Sequence, residues 1–332
     1  MDDMIYAAIG GVPTIGLLII IAMSLYVLGK GADVLVIEAI GLWIRWGIAK
    51  IIIGATIVSL GTTIPEVTVS VFAAINNNPD LALGNAIGSI ITNTALILGL
   101  AALVGTLPMD KKALGNQGLI QLITISLFTV ISLPFFSKGI ISQKMGFVFL
   151  ALLILYIVGS LILSKKSKGE DSHEFHQEET SLIIQLIKLI GGVALVIISS
   201  KILIPSVEVT AIRIGIPQSI IAATLVAFGT SLPELVTSIT AVRKGHGALA
   251  IGNVTGANIL NILFVIGGSA AVTKAGLAVP AIFYKLQIPT MMISIILFHL
   301  YSKNKDDIIT KVQGAIFLAV YIIYLGLSFI WI

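Results

Sequence analysis

Long apolar runs alternate with short polar gaps along the whole chain, and the length of the runs sets the first expectation. A helix that crosses a hydrocarbon core of about 30 Å needs about 20 apolar residues. Ten stretches have that character: 5–29, 48–75, 81–105, 114–134, 143–164, 182–204, 217–242, 247–273, 278–301 and 309–331. The pattern predicts an all-α membrane protein of about ten transmembrane helices. One strongly polar stretch, 165–180, separates the fifth run from the sixth and reads as a solvated loop. The chain thus divides into 1–164, the loop 165–180, and 181–332, all within one integrated transmembrane domain.

The two parts repeat each other. Shifted by 168 residues, 54–104 falls on 222–272 without a gap, with 19 of 51 positions identical. Gly61-Thr62-Thr63-Ile64-Pro65-Glu66 matches Gly229-Thr230-Ser231-Leu232-Pro233-Glu234, and Gly84-Asn85-Ala86-Ile87-Gly88 matches Gly252-Asn253-Val254-Thr255-Gly256. Five spans is an odd number, so the second half should enter the membrane from the opposite side. Inverted repeats of this kind place a binding site near the midplane where the halves meet.

Composition supports lipid as the solvent, with 57% of residues hydrophobic and 11% charged. The net charge of +4 is scattered through the gaps and forms no basic stripe, which excludes nucleic acid as a partner. Without cysteine there is no thiolate chemistry. The acidic start, Met1-Asp2-Asp3-Met4, does not read as a signal peptide, so the first run should stay as a span. Thirteen basic residues, Lys30, Arg45, Lys50, Arg243 and Lys244 among them, fall on one side of the predicted topology, against Lys138, Lys144, Arg213 and Lys274 on the other. Basic loops stay inside. The central loop is therefore expected in the cytoplasm of a multi-pass cell-membrane protein, with both termini outside.

Chemistry has to rest on the few polar groups inside the runs. Glu66 and Glu234 are the only acids in the second and seventh runs. Ser59, Thr62, Thr63, Glu66 and Ser70 recur at helical spacing and share one face, matched by Ala227, Thr230, Ser231, Glu234 and Ser238. Pro65 and Pro233 lack the N–H that would close a helical turn, so backbone oxygens near Gly61 and Gly229 should be bare. Asn85, Ser89 and Asn93 form another face, matched by Asn253, Ala257 and Asn261, with Asn258 beside them.

Oxygen-only donors suit hard cations such as Ca²⁺ and Na⁺. An intramembrane acid costs about 2.5–3.5 kcal/mol on insertion scales, and a facing pair also repels. A divalent ion, two monovalent ions or protons would each neutralise that pair, and such rival occupancy is what an exchanger needs. A passive cation channel would also want acids on its axis, although proline-broken inverted repeats favour alternating access. An enzyme is not expected, because no Ser/His or paired-Asp arrangement has catalytic spacing.

The paired motifs Gly61–Glu66 and Gly229–Glu234, with Gly84–Ser89 and Gly252–Ala257, resemble the α-repeats of the sodium/calcium exchanger family within the calcium/cation antiporters. The resemblance implies ten helices, sliding of the first and sixth, and four cation positions exchanging Ca²⁺ for Na⁺, with a Ca²⁺/H⁺ antiporter as the alternative on the same scaffold. It implies Thr62, Thr63, Glu66, Ser89 and Asn93 as ligands from the first repeat. Thr230, Ser231, Glu234 and Asn261 would come from the second, with the carbonyls of Ser59 and Ala227 contributing. Asn261 stands where many prokaryotic relatives and the potassium-dependent branch have Asp, which weighs against potassium co-transport. Ala257 stands where Ser is usual, which leaves one sodium position to backbone and water. No resident cofactor is expected, and the expected partners are the bilayer and the transported cations, with no obligate protein partner.

Several residues carry a competing structural reading. Asn85 and Asn253 could equally bond helices together, and Gly84, Gly88, Gly252 and Gly256 form small-xxx-small packing patterns. Asp33, Glu38 and Glu208 read as solvated ends at the interface, Lys201 as a snorkelling side chain, and His173 and His176 as polar loop residues.

Overall fold

A computed structural model of the chain describes residues 6, 8–109, 111–164, 181–215, 229–303 and 307–331. The loop 165–180, with His173 and His176, and the start of the seventh run lie outside the described residues. So does Ala227.

The described chain is helical with four two-residue strands. Helix α1 is Thr14–Trp46, α2 Lys50–Thr62, α3 Ile64–Ile75 and α4 Pro79–Val104. After β1 (Leu107–Pro108) come α5 (Lys111–Ser132), β2 (Ile140–Ile141) and α6 (Gln143–Ser164). The second part has α7 (Leu182–Arg213), α8 (Leu232–Arg243), α9 (Gly247–Val272), β3 (Leu277–Ala278), α10 (Gln287–Tyr301), β4 (Ile308–Ile309) and α11 (Lys311–Trp331). Seven helices in the described residues are long and apolar enough to cross a membrane, and the α2–α3 pair, bent by 48°, makes an eighth. The protein is a multi-pass membrane protein.

Local sequence explains the breaks. Asn78 caps α4 through its side chain, which accepts from the Leu81 N–H at 3.0 Å, and Pro79 follows at the first helical position. The α2–α3 bend falls at Thr63, two residues before Pro65, whose missing N–H cannot bond Gly61. α1 stops at Gly47, in the left-handed region at φ +59°.

Two helices form the centre. The most apolar windows of α4 and α9 are 78% and 94% buried, against 28% for α1, α6 and α7, whose outer faces carry exposed apolar side chains such as Ile15, Ile19 and Ile154. α9 lies backbone-to-backbone on α2. A Cβ added at Gly252 would sit 2.1 Å from the Ile51 carbonyl oxygen, and one at Gly256 would sit 2.3 Å from that of Ala55. Those two glycines have the packing role expected of them, whereas at Gly84 the nearest atom to an added Cβ is the Phe283 ring at 3.5 Å. Gly252→Ala is therefore expected to destabilise the fold by about 1–3 kcal/mol, because backbone must move, while Gly84→Ala is tolerated. Thermal unfolding in detergent would measure the difference.

α1 and α7 are longer than the apolar runs predict, continuing to Trp46 and Arg213. Mutual pairing accounts for the extension. At one end Arg213 donates to the Gly10 and Val12 carbonyls and Tyr6 donates to Glu208. At the other, Lys188 meets Glu38 at 3.9 Å and Gln185 donates to the Glu38 carbonyl. The helices are antiparallel, tied at both ends, and cross where Gly192 approaches the Leu35 backbone. Glu38 and Glu208 thus join helices instead of ending as solvated groups, and Asp33 pairs with Lys244 of α8 at 3.1 Å.

The strands join loops of different halves. β1 pairs antiparallel with β4, and β2 with β3.

Candidate cation site

Polar side chains converge where α2, α3, α4, α8 and α9 meet. Ser59, Thr62, Thr63, Glu66, Ser70, Asn93, Glu234, Ser238, Asn253 and Asn261 are all fully buried, and Ser89 and Ser231 almost so. The helical spacing that put them on common faces therefore selected the inward face. Glu66 and Glu234 each sit in the first turn of a helix that starts beside a proline, α3 and α8. An anion there is favoured by the unpaired N–H groups and dipole of a helix start.

The two repeats interlock through equivalent bonds. Asn85 donates to the Glu66 backbone carbonyl at 3.2 Å and to Ser70 Oγ at 2.9 Å. Asn253 donates to the Glu234 carbonyl at 3.5 Å and to Ser238 Oγ at 3.1 Å. Each amide oxygen then accepts from the opposite repeat: Asn85 Oδ1 from Thr230 at 3.0 Å, Asn253 Oδ1 from Thr62 at 3.3 Å. The asparagines clamp the backbone of the acid in their own half and reach across to the other. The structural reading of Asn85 and Asn253 is thus the one the geometry carries.

Both acids meet at the junction. Thr63 Oγ1, three residues before Glu66, donates to Glu234 Oε1 at 3.4 Å. Yet Glu66 Oε1 and Oε2, Glu234 Oε2, Ser231 Oγ and both amide atoms of Asn93 and of Asn261 are buried with no hydrogen-bond partner among the described residues. Buried polar groups normally have partners, and an unpaired one costs about 1–3 kcal/mol. Eight of the seventeen such atoms among the described residues lie on the residues named as ligands, and six of those eight are oxygens, a donor set without a partner from the protein itself.

Not every expected ligand is bare. The Ser59 carbonyl accepts from the Thr63 N–H at 2.9 Å, and Thr62 Oγ1, whose single proton is shared with Asn253 Oδ1, lies 3.3 Å from it, so the carbonyl is already engaged within the helix. Ser89 Oγ lies 3.5 Å from Thr230 Oγ1. Ala227 lies outside the described residues, and Ala257, fully buried, offers no side-chain oxygen.

Sequence reasoning missed two features. The helices carry π-turns at Gly54–Val58, Thr92–Ile97 and Asn261–Ile266, the last two at Asn93 and Asn261. A π-turn shifts the helical register by one residue and is frequent at functional sites. The second is a polar brace: Tyr156 Oη lies 2.9 Å from the Ala55 carbonyl in the first π-turn and 3.0 Å from Gln117 Oε1, and Gln117 donates to Ser160 at 3.2 Å. Gln117 and Gln121, two glutamines four residues apart in a largely apolar run, were the available signal.

Exposure is uneven. Asn85 and Thr230 are half-buried, while their counterparts Asn253 and Thr62 are sealed.

An intramembrane cluster of acids, hydroxyls and amides held by two interlocked repeats defines a transporter. The family model for sodium/calcium exchanger protein matches residues 16–162 and again 184–330. An uncharacterized membrane protein of Methanocaldococcus jannaschii is 32% identical over 91% of this chain and 94% of its own length. The sodium/calcium exchanger MaX1 of Methanosarcina acetivorans is 28% identical over 94% of this chain and 98% of its own. Among solved structures, the sodium-calcium exchanger NCX_Mj superposes with a TM-score of 0.81 at 29% identity, covering 95% of this chain and 99% of that one. The chain belongs to the sodium/calcium exchanger protein family, whose members are transporters and not enzymes.

Proposed function

We propose that the protein is a secondary active antiporter that exchanges Ca²⁺ for Na⁺ by alternating access, the ions competing for Glu66 and Glu234. One observation carries the reading: the orphaned oxygens of both acids, fully buried in a chain whose surroundings are lipid. Such a pair is stable when a divalent ion or two monovalent ions neutralise it and is costly when left bare. Filled states can then pass between orientations and empty ones are held back. Glu66, Glu234, Thr62, Thr63, Ser89, Asn93, Thr230, Ser231 and Asn261 are the proposed ligands.

Ten spans in two inverted repeats fit the strand pairing. β1 and β2 flank α5, so a spanning α5 puts them on opposite sides, and β3, the counterpart of β1, pairs with β2. Equivalent loops then face opposite sides. Termini outside and the polar loop in the cytoplasm put the half-buried Asn85–Thr230 end of the site toward the outside. The doubly tied α1–α7 pair is the unit that slides.

Calcium uptake into proteoliposomes, under sodium or proton gradients imposed one at a time, tests the assignment. Uptake driven by an outward Na⁺ gradient is expected. A response to the proton gradient alone would replace Na⁺ by H⁺ as counter-ion, and uptake indifferent to both would make the protein a channel.

A further inference from the structure

Away from the acid pair, α1 and α8 leave between them a cavity of about 400 Å³ lined by Tyr26, Lys30, Asp33, Thr240, Arg243 and Lys244, among others. Its charge is one-sided, with three cationic side chains facing one carboxylate. Asp33 takes Lys244 at 3.1 Å, and the Lys30 ammonium lies 5.7 Å over the Tyr26 ring. Neither Lys30 nor Arg243 is within ion-pair distance of a carboxylate among the described residues. Leu25 and Tyr26 are 53% and 66% exposed, and Lys30, Arg243 and Lys244 are exposed beside them, so the opening presents apolar and basic groups side by side.

Depth follows from the helix rise. Lys244 is ten residues beyond Glu234, about 15 Å along an α-helix at 1.5 Å per residue. If the acids are at the midplane, that is half of a core about 30 Å thick, the boundary at which the headgroup layer begins. The repeat supplies an internal control. At the shift of 168 residues Lys30 corresponds to Ile198, Asp33 to Lys201, Arg243 to Ile75 and Lys244 to Asn76. The positions matched to Lys30, Arg243 and Lys244 thus carry no cation, so the repeated pattern itself does not call for these charges.

We infer that this cavity binds the phosphodiester headgroup of an anionic phospholipid, with Lys30, Arg243 and Lys244 on the phosphate oxygens and Leu25 and Tyr26 against the glycerol and upper acyl chain. Volumes of this size hold small ligands, and basic pockets between transmembrane helices are the chemistry that takes such headgroups. The phosphate competes with Asp33 for Lys244 and bridges α1 to α8. On the proposed transport reading, which this step rests on, a bound lipid would therefore bias the position of the α1–α7 pair. Binding itself does not depend on which ion is carried.

The test is lipid retention by the full-length protein, reconstituted in vesicles of equal parts phosphatidylcholine and phosphatidylglycerol, re-extracted in mild detergent and weighed by native mass spectrometry. Wild type is expected to keep phosphatidylglycerol in preference to phosphatidylcholine. Lys30→Gln with Arg243→Gln should lower that preference about 30-fold, the effect of two basic residues near a membrane surface. Lys303→Gln with Lys311→Gln, the same charge change elsewhere, should not. If the double variant does not elute as a single species, Arg243→Gln alone should give about a fivefold loss. Equal retention by the variants and wild type would overturn the assignment. So would displacement of the lipid by inorganic phosphate, which would make the cavity a site for soluble anions.

Discussion

Glu66→Gln or Glu234→Gln, each alone, is expected to weaken Ca²⁺ binding by about two to nearly four orders of magnitude and to abolish exchange at physiological concentrations. The estimate is the cost of removing one partner from a buried charge pairing, about 3–5 kcal/mol. Gln is nearly isosteric and still offers an oxygen to Thr63, so the bond at 3.4 Å to position 234 can survive and the fold should hold. A ligand loss is therefore separable from a folding loss. Without ions the variants should melt no lower than wild type, since one of two facing charges is gone. Adding Ca²⁺ should stabilise wild type by about 2.7 kcal/mol at a hundred times the dissociation constant, and the variants hardly at all. Full ion-induced stabilisation of either variant, together with intact exchange, would remove the acids from the mechanism.

Asn253→Ala has the next largest expected effect, and it acts on position instead of charge. The side chain holds Ser238 Oγ, the Glu234 carbonyl and Thr62 Oγ1, all fully buried. Three side-chain bonds at about 0.6 kcal/mol each, the average from double-mutant cycles in a membrane protein, give about 2 kcal/mol. Exchange should suffer more than that figure implies, because the peptide that presents Glu234 loses its clamp. Thr62→Val added to Asn253→Ala should cost much less than the sum of the two, since they share a bond. Asn85→Ala should be milder, as its half-buried setting lets water take the vacated positions. A melting temperature and exchange rate unchanged by Asn253→Ala would refute the clamp.

Much of this was legible in the chain. Asn78-Pro79 marks the start of α4, Pro65 the bend before α3, and the three- and four-residue spacing of Ser59, Thr62, Thr63, Glu66 and Ser70 the face that turns inward. The spacing of a helix is local, so a local pattern reports it. The length of α1 was not legible. Its extension through Asp33, Glu38 and Arg45 looks like the end of a span until Lys244, Lys188 and Gln185, from distant parts of the chain, are placed against it. The ambiguity at Asn85 and Asn253 had the same source, since an amide in a helix looks alike whether it faces an ion or another helix.

By itself the sequence determined that this protein lives in lipid, that its halves repeat, and that two acids with rows of oxygen donors are its only economical chemistry, because hydropathy, periodicity and the expense of charge in hydrocarbon are properties of residue types. Only the tertiary structure decided which oxygens are already engaged, as at Ser59, and which stand without partners, as at Glu66, Asn93 and Asn261. Hydrogen bonding is short-ranged and directional, and in this molecule its decisive partners are about 140–190 positions apart, brought together only when one repeat folds against the other.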